Sequence, residues 1–81
     1  MNQERMILKG QLHESNAKKH LMETEIKGLI LSLRNDLRTH QPDLTMLNAD
    51  MIKINTERLY ELLTGLKTLS QQIAEMEADL E

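Results

Sequence analysis

Few side chains in this sequence could ligate a metal or move a proton near neutral pH: three histidines, His13, His20 and His40, and no cysteine. His13 and His20 are one heptad apart and share a helix face, with Glu23 one turn further on, so two imidazoles and a carboxylate could converge on a cation. Metal sites on a single helix more often use the closer i, i+4 pair, and the Glu-x-x-His pattern of di-iron bundles is missing. Solvated surface histidines are therefore expected, with His40, two residues before Pro42, a turn residue or a charge at a helix C-terminus. No metal and no cofactor is expected.

Other chemistries lack their parts. Nucleophilic catalysis needs a serine, threonine or cysteine held beside a base and an oxyanion hole, usually on loops of a rigid scaffold. Here Ser15, Ser32 and Ser70 fall within helical patterns, and Gly10, Gly28 and Gly65 are isolated, forming no phosphate-cradling loop. Close helix approach is the better reading of Gly28 and Gly65. The chain is not expected to be an enzyme. For nucleic acid the candidates are Arg34, Arg38, Lys53 and Arg58, with Lys18-Lys19. Asp36, Asp43, Asp50 and Glu57 lie among them, the net charge is −3, and Tyr60 is the lone aromatic, so phosphate and base contacts are both poorly provided for. A membrane surface would call for a basic polar face beside an aromatic-rich apolar one.

The elements that carry these residues follow from one proline and two periodic runs. Pro42 stands almost at the midpoint, in the polar stretch Thr39-His40-Gln41-Pro42-Asp43; proline disfavours helix in the residue before it and suits a first turn, so the chain should stop and restart there. Helix is expected over about residues 3–39 and about 44–79, with a turn over about 40–43. Asp43 is the expected cap of the second helix, with Thr45 and Asn48 competing.

In the first arm Leu8, Leu12, Ser15, Lys19, Met22, Ile26, Leu29 and Leu33 recur at alternating spacings of four and three, the seam of a heptad pattern, widened by Ile30 and Leu37. In the second arm Leu59, Leu62, Leu66, Leu69, Ile73, Met76 and Leu80 repeat that spacing without an error. Upstream of them Leu44, Leu47, Met51 and Ile54 follow a different frame, so the stripe is expected to change face across Asn55.

Two equal amphipathic arms joined by a short link favour an all-α antiparallel hairpin, coiled-coil-like, in which facing residues have numbers that add to about 85. Leu33 then lies near Met51 and Ile52, Ile26 near Leu59, Met22 near Leu62 and Leu12 near Ile73. Ser15 and Lys19 interrupt the apolar seam, which should make His13 to His20 the loosest part of the first helix. Lys19 can still lay its methylene stem along the seam and lift its ammonium to water.

One hairpin of 81 residues offers a thin core, and so small a chain gains from burial by self-association. The extra apolar side chains Leu31, Met46, Leu47, Ile54 and Tyr60 all lie in the half nearer Pro42, and this set is the candidate protein-interaction surface, expected to form a homodimeric four-helix bundle or to receive another protein partner. Residues 61–81 carry Glu61, Glu75, Glu77, Asp79 and Glu81 against Lys67, a solvated acidic end. The chain has no apolar run approaching the ~18 residues of a membrane span and no signal-peptide core, so a cytoplasmic protein without membrane contact is expected.

The run Leu8-Lys9-Gly10-Gln11-Leu12, then Glu25-Ile26-Lys27-Gly28-Leu29-Ile30, Leu33-Arg34 and Leu37 before a proline turn, resembles small uncharacterised helical proteins encoded in Mu-like prophages. The resemblance implies a phage-encoded cytoplasmic accessory protein and brings no functional residue with it. A noncatalytic structural or adaptor protein acting through helix-mediated association is the expected function. A DNA-associated accessory regulator using Arg34, Arg38, Lys53 and Arg58 is the alternative.

Overall fold

The structure is a computed structural model describing residues 2–38 and 43–81. Two long helices dominate it, α1 (Asn2–Leu37) and α2 (Ala49–Leu80), with a 3-10 turn at Leu44–Met46 before the second. The reversal expected around His40 and Pro42 lies outside the described residues. The helices pack on each other as an antiparallel pair, a rod of 65 × 16 × 15 Å. Its thickness is that of two helices side by side.

Three contacts between the helices fix the register. At the open end the guanidinium of Arg5 donates to the Leu80 carbonyl at 2.9 Å; further along, Arg58 meets Glu25; between them Met22 lies against Gly65. Each pair falls within two residues of the register read from the sequence. Every seam position expected in α1, from Leu8 to Leu33, is at least half-buried, as is every one from Leu59 to Leu80 in α2. Among the described residues only Ile26, Leu62, Leu69 and Ile73 are buried, each still 4–7% exposed. Two helices can shield only the centre of their common seam, so most apolar side chains keep one edge in water.

The second helix starts later than expected, and this changes its N-terminal face. The Asp43 carboxylate accepts from the Thr45 amide at 3.0 Å and from its hydroxyl at 2.6 Å, which caps the 3-10 turn and holds the Asp43 carboxyl below its usual range. Asn48, not Asp43, caps α2, its side-chain oxygen accepting from the Met51 amide at 3.1 Å. Leu44 and Leu47 are therefore outside the helix and impose no frame on it. The stripe does not change face across Asn55. Ile52 and Asn55 are half-buried and continue the seam backwards from Leu59, whereas Met51 and Ile54 remain 43% and 57% exposed. A helix turns as one cylinder, and the long regular run beyond Leu59 outweighs two apolar residues at its start.

The interruption in α1 is accommodated by continuous helix, with Ser15 and Lys19 half-buried and nothing between His13 and His20 fully buried. Amides of that stretch should exchange faster than those of Ile26 to Leu33 in native-state hydrogen exchange, since local opening there exposes little apolar surface. Lys19→Leu should raise stability by about 1 kcal/mol, the scale of completing one apolar layer. Equal protection in both stretches would show the layer at Lys19 to be as well packed as its neighbours.

The glycines separate by environment. A Cβ on Gly65 would stand 3.1 Å from the Met22 methyl, a close approach as expected, but one on Gly28 or Gly10 would meet nothing within 4 Å. The close-packing role expected of Gly28 is not borne out: the residue faces away from α2. Gly28→Ala should accordingly stabilise the helix by about 1 kcal/mol, close to the full difference in propensity. Gly65→Ala should gain less, because the flexible Met22 side chain has to shift. Thermal melts of the two variants would reverse that order if Gly28 were the packed position.

Candidate functional site

The charged residues beside the seam define two flanks of the rod. In an antiparallel helix pair, positions just to one side of the seam on one helix face the corresponding positions on the other. Glu25 and Arg58 are such a pair: Nε of Arg58 donates to Oε2 at 2.7 Å and Nη2 to Oε1 at 3.2 Å, a fork-on-fork contact. Nη1 reaches Glu61 at 3.5 Å on the same helix. Both partners remain about half exposed, so the geometry is better than the environment and water screens the pair. The hydrogen bonds from Arg58 hold the Glu25 carboxyl below the ordinary glutamate range against an opposing desolvation effect, with a lesser contribution from the Arg58 charge, and Glu25 raises Arg58 in return.

A folded-state pKa below the unfolded one contributes stability above the unfolded pKa, which is lost as pH falls through the folded value. Glu25→Gln should therefore melt lower than the parent protein at neutral pH, and the two melting curves should converge once acid has protonated Glu25. A difference that persisted unchanged into acid would mean that Glu25 acts through packing and not through its charge.

With the flanks defined by heptad position, the expected interaction residues can be placed. Ile54 lies on the flank of the Glu25–Arg58 pair, next to Met51. Tyr60, 70% exposed, lies towards the opposite flank, and Leu31, 60% exposed, points outward from the back of α1. Met46 is exposed in the 3-10 turn, and Leu47, at its end, is half-buried. The five residues share one half of the rod but not one face. The basic set is also divided. Arg34 and Lys53 lie at about the same height on the flank opposite the ion pair, Arg38 projects from the outer side just past the end of α1, and Arg58 is committed to two carboxylates.

Heptad position brings together a different group, which the sequence reading did not single out. On the flank opposite the ion pair, in the half nearer the turn, Ile30 and Leu63 border the line between the helices, with Leu37 and Tyr60 close by. Lys27 and Arg34 stand outside them on α1, and Lys53 and Lys67 on α2, all exposed. The signal was present in the heptad positions once both helices share a frame. It was hidden by the frame change expected at Asn55, which rotates Lys53 and its neighbours to the wrong side.

A shallow recess of about 550 Å³, lined by Lys53, Thr56, Glu57, Tyr60 and Glu61, runs along the outside of α2 and is open to solvent. The hydroxyls of Thr24, Thr56, Thr64 and Thr68 donate back to carbonyls of their own helices, the usual alternative to water for a helical threonine. Among the described residues no three His, Asp or Glu side chains are close enough to hold a metal ion, and no helix is long and apolar enough to cross a membrane. Comparison with known proteins gives no match: no family model, no curated protein and no solved structure aligns significantly with the chain.

Proposed function

We propose that the chain is a noncatalytic helical association module, a structural or adaptor protein that works in the cytoplasm by packing its exposed helix faces against other proteins, a second copy among them. The observation that carries this reading is the imbalance of apolar burial. Among the described residues only four side chains are buried, whereas Ile30, Leu37, Met51, Ile54, Tyr60 and Leu63 are 39–70% exposed in the half of the rod nearer the turn. Exposed apolar side chains gathered in one region mark association surfaces more often than free ones. The resemblance to small Mu-like prophage proteins would make this an accessory factor of a phage.

The flank of the Glu25–Arg58 pair suits a second copy. Met51 and Ile54 lie near its turn end, with Leu47 half-buried just before α2, and Ser32 and Asn35 opposite them carry no charge, so a two-fold contact meets no like-charge barrier there. A four-helix bundle is the resulting assembly. Sedimentation equilibrium should show a dimer, and Leu47→Ala with Ile54→Ala should shift it to monomer while leaving helicity intact. A parent protein that stays monomeric and well folded at high concentration would end the homodimer reading.

A further inference from the structure

We infer that the opposite flank is a docking groove for an acidic amphipathic helix from a partner protein, which would lie along it as a third helix. This rests on the association reading above and deepens it by giving the partner's chemistry. The floor of the groove is mainly apolar: Ile30 and Leu63, at 39% and 43% exposure, border the seam, with Leu37 and Tyr60 more exposed at 58% and 70%, while Thr56 and Glu23 share the heptad position of Ile30 and Leu63. Its rims are cationic, Lys27 and Arg34 on α1 and Lys53 and Lys67 on α2. Within this stretch Glu23, half-buried, lies on the flank, Glu57 and Glu61 border the recess beside Lys53 and Tyr60 on the outside of α2, and Glu77 and Glu81 stand at the far end of the rod. From Lys67 to Leu37 the groove runs for roughly 28 Å at 1.5 Å per residue, about five helical turns.

Charge decides between the possible occupants. A two-fold contact between copies through this flank would set Lys27, Arg34, Lys53 and Lys67 against themselves, so the face repels its own image. A bilayer is flat and would meet the basic rims before Ile30 and Leu63, which lie nearer the seam. Phosphates of a nucleic acid would gain from the rims but leave the apolar floor against a charged backbone. A helix with a leucine ridge flanked by carboxylates satisfies floor and rims together, in the manner of helix-in-groove recognition.

The test uses the full-length chain and a synthetic peptide of about 21 residues with leucine at heptad positions a and d and glutamate at e and g, followed through the emission of Tyr60, the single aromatic. The peptide should bind saturably, more weakly as salt rises. Lys27→Glu with Lys53→Glu should reduce affinity roughly tenfold or more, as should Ile30→Ser, with helicity unchanged by circular dichroism. Lys18→Glu, on the other flank, should leave binding as it was. Equal binding by an isomer carrying lysine in place of glutamate would overturn the charge assignment while leaving the association reading in place. Tighter binding to phosphatidylserine vesicles or to duplex DNA than to the peptide would overturn the inference in favour of those surfaces. If neither peptide binds and the chain sediments as a monomer, the association reading falls as well.

Discussion

Replacing Ile73 by alanine is expected to lower stability by about 2–5 kcal/mol, the range for truncating a large buried aliphatic side chain. Ile73 is the most buried residue described, at 4% exposure, and one of four that are buried at all. Domains of this length are commonly stable by only about 4–12 kcal/mol in total. One such truncation consumes a large part of that margin. The melting temperature should fall by at least about 10 °C, since each kcal/mol moves a domain of this size by several degrees.

Exposure on the same rod supplies the control. Leu21 is as apolar but 69% exposed, and Leu21→Ala should change stability by no more than about 0.5 kcal/mol. If Ile73→Ala melted within a few degrees of the parent protein, the stabilising core would have to lie elsewhere, in surface covered by a partner.

Asn55→Leu is expected to act in the other direction. Asn55 occupies a seam position, half-buried, between Ile52 and Leu59, at the height of Leu29 and Ile30 across the pair. A polar amide at one seam position lowers stability and favours a single register, because only there can it keep access to water. Leucine at that position should raise stability by about 1–2 kcal/mol by the area it withdraws from water. It should also relax the specificity of the pairing, seen in sedimentation as a broader distribution of oligomers than the parent shows. A variant that is less stable than the parent would show that the Asn55 amide contributes more through its own contacts than a completed apolar layer would.

Much of the fold could be read from particular residues. Leu59 to Leu80 repeat so regularly that helix, face and seam follow from spacing alone, and Leu8 to Leu33 do the same despite Ser15 and Lys19. The register followed too: equal arms on a short link allow little sliding, and Arg5 with Leu80, Met22 with Gly65 and Glu25 with Arg58 all respect it. The surface residues were less legible. Leu31, Ile54 and Tyr60 read as one patch because they are apolar and near Pro42 in sequence, but nearness along a helix says nothing about direction around it unless the frame is right.

What the sequence determined by itself is therefore the set of properties fixed by local periodicity: two helices, their common seam, their antiparallel register and the thinness of the core. The start of α2, the face of its first two turns and the division of charge between the flanks were decided by tertiary structure. Asp43 and Asn48 are both good caps, and local propensity alone does not choose between them. The choice falls at Asn48, which excludes Leu44 and Leu47 from the helix and lets the long downstream seam set its rotation. Burial acts on the whole cylinder at once, so seven well-spaced apolar positions against α1 override Met51 and Ile54, turn Asn55 inward, and carry Lys53 round to stand beside Arg34.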